Sequence, residues 1–487
     1  MNLSSRFNWK ILSWRGGLYD FTDKLWPLPN SCTFCILSFG MIEEPFIKRK
    51  LLPRANLPSL IEDSESAEIL LLLGSRQSGK TSLMLLLLNY LLQEKKVPPE
   101  QVFFFDLEDI NRVKELNSYS ETGFDNFSEY LKEKGANLSQ KIFIFIDEIQ
   151  YLKYPSSFLK YLFDHYRFKF IVSGSSSLEI KKKFTDRLTG RAHRYQVRPL
   201  SFTEYLAFTK HNFLADKKKN ASLIEYLERG RRPRGENFRF HATELTQLFE
   251  DFVLFGGYPR AALAETEGER YKILGDIYNL YVRKDIKDLA RIDDPEAFNK
   301  LVTLLGLQVG SLVNEDSLST ETQTTRMTLR RYLFLLENTF VVKLISPYFR
   351  NPRKEIVKMP KVFFEDTGLR NFTINNFSPL NQRTDSGSLV ENAAYNQLAK
   401  SLSFYKEMHF WRTKHGSEVD FVIEQEPEGP VPIEIKYQTF SKPQIPSGLR
   451  AFVKDYQPQK GFVVTKEFWA TQKLGKTEIF WLPAWAV

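Results

Sequence analysis

The chain has 487 residues, which is enough for roughly two to four domains. Hydrophobic residues make up 42% of it and support large cores, while no apolar run reaches the length of a membrane span, so we expect a soluble protein without a membrane partner. The formal net charge of +9 suggests an anionic partner without naming one, and a lysine-rich solvated surface would give the same balance.

Residues 1–40 differ from the rest of the chain. They contain both cysteines, Cys32 and Cys35, whose C-x-x-C spacing lacks the further ligands of a zinc site and the βαβ context of a redox pair. We interpret the segment as a translated upstream region or an unstructured extension, with Met41 as the candidate native start. A chain beginning there would contain no cysteine, which fits a cytoplasmic protein without disulfides.

Residues 74–81 read Gly-Ser-Arg-Gln-Ser-Gly-Lys-Thr, which has the form of a phosphate-binding loop. The apolar run 69–73 predicts a strand before it, and the Leu-rich segment 82–92 predicts a helix after it. Backbone N–H groups and the start of this helix would bind the phosphates of ATP. Lys80 would reach the β- and γ-phosphates, and the Thr81 hydroxyl would bind Mg²⁺.

An apolar run ending in two acids, at 142–148, predicts the second part of a nucleotide site. Asp147 at the strand end would hold Mg²⁺ through water, and Glu148 would polarise the attacking water. The predicted nucleotide-binding residues are therefore Gly74, Ser75, Arg76, Gln77, Ser78, Gly79, Lys80, Thr81 and Asp147.

Strand-like runs alternate with helical stretches, the pattern of a doubly wound parallel sheet. The predicted strands are 69–73, 102–106, 142–147, 168–173 and 195–198. Ligands bind at the carboxyl edge of such sheets, where Asp106, Asp147 and Ser173 would lie. Ser173 or Ser175 would sense the γ-phosphate through the lytic water, or the segment is only a Ser-rich turn.

Two arginines follow the last of these polar strand ends. Arg187 or, by preference, Arg191 would stabilise charge on the transferring phosphoryl group, although either could be an ordinary surface arginine. Whether Arg191 acts in its own subunit or on a neighbour in a homo-oligomer depends on an oligomeric state that the sequence leaves open.

Residues 209–240 form a basic insertion, with nine Lys or Arg against four acids, 9 − 4 = +5. Its Arg-rich part, 229–234, has neither helical nor strand periodicity and predicts a mobile loop. The insertion would contact phosphates or would serve as a solvated linker.

A helical pattern begins near residue 300. Segments 301–309, 315–321 and 325–338 predict helices, and 340–345 and 358–364 predict strands, an order that suggests a winged helix. Arg326, Arg330 and Arg331 lie on or near its recognition helix and are the predicted DNA contacts. The alternative is a winged helix that packs against protein.

The C-terminal part carries a second group of chemically active residues. Glu391 lies in a predicted helix at 389–398, Asp420 in a strand at 418–423, and Glu434 and Lys436 in a strand at 433–437. The three carboxylates would share a divalent cation, and Lys436 would orient a water or stabilise a pentavalent phosphate. Helix, strand and strand in this order form the core of PD-(D/E)XK nucleases; the alternative is a nuclease-like fold with a structural role.

The whole chain from about residue 42 resembles a widespread prokaryotic group of AAA-type ATPases with a C-terminal domain of unknown function that looks nuclease-like. Beyond the nucleotide motifs, the resemblance rests on the segments at 174–177, 188–191, 199–202, 256–259, 285–286, 332–337, 366–369, 418–421 and 432–436. It implies ATP binding through 74–81 and Asp147–Glu148, and a nuclease-like C-terminal fold. The basic stretch is longer than is usual in this group, and Ser stands where many such ATPases have a sensor Asn.

Together these patterns predict an α/β protein with a P-loop NTPase sheet, a helical or winged-helix region and a restriction-endonuclease-like domain. The predicted boundaries are 1–40 (extension), 41–208 (AAA-type ATPase), 209–300 (basic insertion and helical linker), 301–375 (winged helix) and 376–487 (nuclease-like). The predicted function is Mg²⁺-dependent ATP hydrolysis coupled to DNA binding or processing. The alternatives are a nucleotide-dependent signalling switch with an inactive nuclease fold, and a DNA-binding ATPase that does not cut.

Overall fold

A computed structural model describes most of the chain beyond residue 50. The described residues are 51–175, 190–219, 222–232, 235–238, 240–280, 292, 294–349, 359–402, 407–425 and 429–487. The N-terminal extension with its cysteines and Met41, and also Arg187, lie outside them. None of the helices in the described part of the chain has the length and apolar character needed to cross a membrane.

The first domain is built on a five-stranded sheet in which every pairing is parallel. Its strands are β1 (Ile69–Leu73), β2 (Val102–Asp106), β3 (Ile142–Asp147), β4 (Phe168–Gly174) and β5 (Ala192–Gln196), in the order β2-β3-β4-β1-β5. Strands β1 to β3 are apolar up to their last residues and β4 is apolar except for Lys169 and its polar end, because helices cover both faces of a parallel sheet. The prediction of a doubly wound P-loop sheet is confirmed.

Helices connect these strands and pack around them. They are α1 (Leu57–Asp63), α2 (Lys80–Gln93), α3 (Ile110–Thr122), α4 (Asp125–Glu133) and α5 (Pro155–His165). Helix α2 follows β1 directly and buries a row of leucines in the core of this domain. The turn that connects β1 to α2 is therefore held in place at both ends by a buried element.

The middle of the chain is helical and ends in a β-hairpin. Its helices are α6 (Phe202–Phe208), α7 (Asn212–Lys219), α8 (Leu223–Arg229), α9 (Ala242–Phe255), α10 (Pro259–Ala262), α11 (Glu267–Ile277), α12 (Pro295–Leu307), α13 (Glu315–Thr322) and α14 (Arg326–Asn338). Strands β6 (Val342–Ile345) and β7 (Lys361–Phe364) pair in antiparallel orientation, and Leu312 bridges to Lys361. Helix α15 (Thr367–Thr373) follows the hairpin.

The C-terminal domain packs helix α16 (Ser386–Ser401) and helix α17 (Ser447–Tyr456) around a six-stranded sheet. Its strands are β8 (Met408–Arg412), β9 (Glu418–Gln425), β10 (Gly429–Ile435), β11 (Lys460–Thr465), β12 (Ala470–Leu474) and β13 (Thr477–Pro483), in the order β12-β13-β11-β10-β9-β8. The pairs β8–β9, β9–β10 and β12–β13 are antiparallel, whereas β10–β11 and β11–β13 are parallel.

Two predicted strands are displaced from their observed positions. Strand β5 lies at 192–196 rather than 195–198, because it is an edge strand whose mostly exposed residues give no apolar run. Strand β10 ends at Ile435 rather than 437 and begins earlier, at Gly429. Pro430 and Pro432 make the start of β10 hard to predict from sequence, because proline lacks the N–H that a strand donates to its neighbour. Both prolines precede the part of β10 that pairs with β11, so no hydrogen bond to β11 is lost.

Candidate functional site

The phosphate-loop motif lies between β1 and α2, as its sequence context predicted. Gly79 caps the helix with φ 99°, and Gln77 also has a positive φ of 62°. Gly79 cannot be replaced without strain, because a Cβ there would also lie 2.8 Å from the guanidinium of Arg54. The Lys80 ammonium is buried and donates to the carbonyl oxygens of Gly74 and Ser75, both at 3.2 Å, so it lies inside the loop.

Asp147 and Thr81 meet beside this loop. The Thr81 hydroxyl donates to Asp147 Oδ2 at 2.6 Å, and the Ser173 hydroxyl donates to Asp147 Oδ1. The contact with Ser173 follows from the register, because Ile146 of β3 lies beside Val172 of β4. Burial and the neighbouring Glu148 raise the pKa of Asp147 to about 6, against the hydrogen bonds from Ser173 and Thr81.

Glu148 also lies beside the phosphate loop, and its backbone is strained. Its φ is 53°, in the left-handed region, and its N–H donates to Ser173 Oγ at 3.0 Å. Its carboxylate lies 3.5 Å from the Lys80 ammonium and accepts from the Ser175 N–H at 3.1 Å. Burial alone would raise the pKa of Glu148, but Lys80 and the hydrogen bonds from Gln150 and Ser175 lower it.

These groups fit Mg²⁺ and a nucleotide. A hydroxyl and a carboxylate 2.6 Å apart are hard oxygen ligands of the kind that Mg²⁺ uses together with water and phosphate oxygens. The helix start and the glycine-bounded loop supply N–H groups for phosphates. Lys80, Thr81, Asp147, Glu148 and Ser173 all converge at the carboxyl edge of the parallel sheet.

Three side chains that sequence reasoning missed contact the loop from outside it. Arg54 donates to the Ser78 carbonyl at 2.8 Å, the Tyr258 hydroxyl lies 3.3 Å from Ser75 Oγ, and Arg260 donates to Gln77 Oε1 at 3.1 Å. The Gly-Gly-Tyr-Pro segment around Tyr258 was noticed only as part of the family resemblance. Nothing in the local sequence marks Arg54, because its partners lie far along the chain.

Arg191 lies away from this site. Its carbonyl accepts from the Ile69 N–H at 2.7 Å, so it stands at the amino end of β1, whereas the phosphate loop follows the carboxyl end. Its guanidinium pairs with Asp164 at 3.0 Å. The sequence left open which subunit Arg191 would act on, and within its own subunit the length of a parallel strand separates it from the phosphate loop. A role toward a neighbouring subunit stays a prediction.

The predicted C-terminal residues also come together, but around a lysine. The Lys361 ammonium lies 3.1 Å from Glu391, 2.6 Å from Glu418 and 3.8 Å from Asp420. Asp420 Oδ2 accepts from the Ile435 N–H at 2.7 Å, which sets it beside strand β10.

The remaining two predicted residues of this group form their own pair. The Lys436 ammonium lies 2.6 Å from Glu434 Oε1, although Lys436 is one residue beyond the end of β10. Burial and the charge of Asp420 raise the pKa of both Glu391 and Glu434.

A divalent ion does not fit the C-terminal carboxylates as they stand. In the described part of the chain, no three or more Asp, Glu, His or Cys side chains are grouped so that they could hold a metal. The cation among Glu391, Glu418 and Asp420 is the ammonium of Lys361. Sequence reasoning missed Lys361, although a lysine opening the buried strand Lys-Val-Phe-Phe is an unusual residue there.

The predicted DNA-contact residues lie on helix α14. Arg326 pairs with Asp316, and Arg330 lies 2.8 Å from Glu315, both acids of the preceding helix. Arg326, Arg330 and Arg331 are exposed, on the same side as the exposed Met327. Arginines of the basic insertion are also paired: Arg229 and Arg231 contact Glu225 within it, and Arg232 contacts Glu478 of strand β13.

Comparison with known families agrees with the site geometry in the first domain. Residues 66–206 match the model of an AAA domain. They form an AAA-type ATPase domain. Residues 246–380 match a domain of unknown function (DUF8612), and residues 386–485 match another (DUF4143).

Similar curated proteins are described as uncharacterised. An uncharacterised protein of Haemophilus influenzae is 23% identical over 67% of this chain and 75% of its own length. An uncharacterised protein of Methanocaldococcus jannaschii is 26% identical over 68% of this chain and 67% of its own length. The solved Walker-type ATPase of Pyrococcus abyssi aligns with 67% of this chain and 99% of its own, at 18% identity and a TM-score of 0.39. A TM-score this low carries no argument, so the assignment rests on the family match and the geometry.

Proposed function

We propose that this protein hydrolyses ATP with Mg²⁺ and couples hydrolysis to DNA binding or processing. The observation that carries the ATPase limb is the meeting of Thr81 with Asp147, and of Lys80 with Glu148, at the end of a parallel sheet. In this proposal Lys80 binds the β- and γ-phosphates, and Thr81 and Asp147 hold Mg²⁺. Glu148 polarises the attacking water, and Ser173, which contacts Asp147, senses the γ-phosphate through that water.

The proposed domains keep the boundaries 41–208, 209–300, 301–375 and 376–487. The third of these is the proposed winged helix. Its support is the element order: helix α12, the bridge at Leu312, helices α13 and α14, and the hairpin of β6 and β7. In such a module α14 is the element that enters the major groove.

DNA is the proposed partner because α14 presents basic residues to solvent. Arg326, Arg330 and Arg331 would contact phosphates or bases, with Arg326 and Arg330 exchanging their acidic partners on α13 for the nucleic acid. A Lys or Arg that neutralises a phosphate releases counterions, so the affinity would fall steeply with salt.

The fourth domain is proposed to have a nuclease-like fold. The support is that helix α16, strand β9 and strand β10 bring Glu391, Asp420 and Glu434 to one region with Lys436, in the predicted order. Whether that region cuts DNA is a separate proposal. Lys361 in its midst favours the second candidate function, a nucleotide-dependent switch whose nuclease-like domain is inactive.

One experiment separates the two candidates. ATP turnover is measured with Mg²⁺, with and without DNA, at several salt concentrations, and the same samples are run on a gel for cleavage. The DNA-coupled ATPase requires turnover that DNA stimulates at low salt and that salt suppresses. Turnover indifferent to DNA, with intact DNA on the gel, favours the switch.

The turnover must also be traced to the phosphate loop. Lys80→Ala should abolish it, whereas Lys132→Ala in the same domain, a change at an exposed lysine that pairs with Glu129, serves as the matched control. Activity that survives Lys80→Ala would come from a contaminant or would contradict the site.

A further inference from the structure

Lys361 lies in the hairpin strand β7, but its side chain reaches into the C-terminal domain. It opens strand β7 of the hairpin that follows helix α14, yet its ammonium lies among carboxylates of the C-terminal domain. Glu391 comes from helix α16, and Glu418 and Asp420 from strand β9. Only 3% of the Lys361 side chain is exposed, so these carboxylates rather than water neutralise it.

The cluster has more carboxyl groups than cationic side chains. Four carboxylates, of Glu391, Glu418, Asp420 and Glu434, lie with three cations, Lys361, Lys436 and Arg412. Glu434 Oε2 is buried and has no hydrogen-bond partner among the described residues. A buried carboxylate oxygen without a donor is costly, so the cluster has unused capacity for a cation.

A lysine and a divalent ion compete for this position. The Lys361 ammonium is a compact point charge, and it occupies the region where oxygens of Glu391 and Asp420 would have to meet a metal. Two cations a few ångströms apart in a buried site repel strongly. The lysine must leave before the carboxylates can close around an ion at metal–oxygen distances of about 2.0–2.6 Å.

We propose that Lys361 is a built-in counter-cation that closes this carboxylate cluster to divalent metal ions, and that strand β7 must withdraw it before a metal enters. The inference rests on the proposed nuclease-like domain and deepens it by naming what controls its metal site.

The strand that carries Lys361 is also tied to the ATPase domain. Glu365, just beyond β7, pairs with Arg198, and Asp366 accepts from the Gly257 N–H at 2.7 Å. Gly257 precedes Tyr258, whose hydroxyl lies beside the phosphate loop. A rearrangement at the nucleotide site therefore has a short covalent and hydrogen-bonded route to the lysine.

The test measures metal binding rather than catalysis. Full-length, nucleotide-free protein is stripped with chelator and titrated with Mn²⁺, by calorimetry and by the electron paramagnetic resonance signal of the free ion. Lys361→Met should gain an Mn²⁺ site with a dissociation constant at least about tenfold lower than wild type shows, since one buried unit charge is removed. Adding Asp420→Asn should abolish that site, and Lys361→Arg, which keeps the charge, should behave like wild type.

Two results would overturn the proposal. One is an Lys361→Met protein that binds a fluorescent ATP analogue, and is therefore folded in its first domain, but gains no Mn²⁺ site. The other is a difference in Mn²⁺ binding between wild type and the single variant Asp420→Asn. The proposal requires the two to bind Mn²⁺ equally, so weaker binding by Asp420→Asn would mean that wild type already holds a metal at the cluster. Neither readout involves ATP turnover or DNA, so this inference and the proposed function fail independently.

Discussion

Replacing Arg54 by Met should destabilise the ATPase domain through the carboxylate that it leaves behind. The Arg54 side chain is 8% exposed and donates to Glu204 at 2.9 Å, to the Ser78 carbonyl at 2.8 Å and to the Arg198 carbonyl at 2.8 Å. The Glu204 side chain is 12% exposed, and the pKa of its carboxyl is lowered to about 2 because Arg54 and backbone donors outweigh the effect of partial burial.

The size of the effect follows from that pKa. A fall from the usual 4.5 to about 2 corresponds to about 3 kcal/mol, at about 1.4 kcal/mol per unit. Removing one partner of a buried ion pair typically costs about 3–5 kcal/mol. The N–H groups of Ala55 and Ser201 still donate to Glu204 at 2.9 and 2.8 Å, so we expect the lower end, about 3 kcal/mol.

The assay is urea unfolding followed by circular dichroism, in a double-mutant cycle of Arg54→Met with Glu204→Gln. The two changes should couple by about 2 kcal/mol, because each leaves the other partner unpaired. Arg112→Met is the matched control: its pair with Glu115 is partly exposed, so the loss should stay below about 1 kcal/mol.

The pH dependence has a definite sign. Ionised Glu204 has a lowered pKa in the folded protein, so its contribution is complete above pH 4.5 and is lost as the pH falls toward 2. The stability gap between wild type and Arg54→Met should therefore narrow over that range. A cost below about 1 kcal/mol at neutral pH, or additive single changes, would refute the reasoning.

Three further predictions address the proposed site and partner. Lys80→Ala should lower ATP affinity at least about tenfold, measured with a fluorescent analogue, because the loop loses the buried ammonium that it encloses and that would pair with the phosphates. Ser173→Ala should shift the acid limb of the pH–turnover profile upward, because the lost hydrogen bond had lowered the pKa of Asp147; an unchanged profile would exclude that contact from function. Arg330→Ala together with Arg331→Ala should weaken DNA binding and reduce the salt slope by about two; an unchanged slope would remove α14 from the interface.

Most strands of the first sheet could be predicted from the sequence because they are buried on both faces. Strands β1, β2 and β3 begin and end at the predicted residues, and Asp147 and Ser173 lie at the predicted carboxyl edge. Parallel strands of this kind read as unbroken apolar runs, and the edge strand β5, which does not, was displaced.

The contacts that change the interpretation join residues far apart in the chain. Arg54 meets Glu204, and Lys361 meets Asp420, across separations that no local period or motif records. The position of Arg191 was hidden in the same way: the chain is back at the amino edge of the sheet before β5 begins, and no local pattern records that. Motifs thus predicted which residues are chemically active, whereas the tertiary fold determines which oppositely charged side chains they pair with.

The most direct test of the central claim is ATP turnover by the protein with Mg²⁺, with and without DNA. We expect turnover that DNA stimulates, that salt suppresses and that Lys80→Ala abolishes. Turnover that DNA leaves unchanged at every salt concentration would contradict the coupling of the ATPase to DNA.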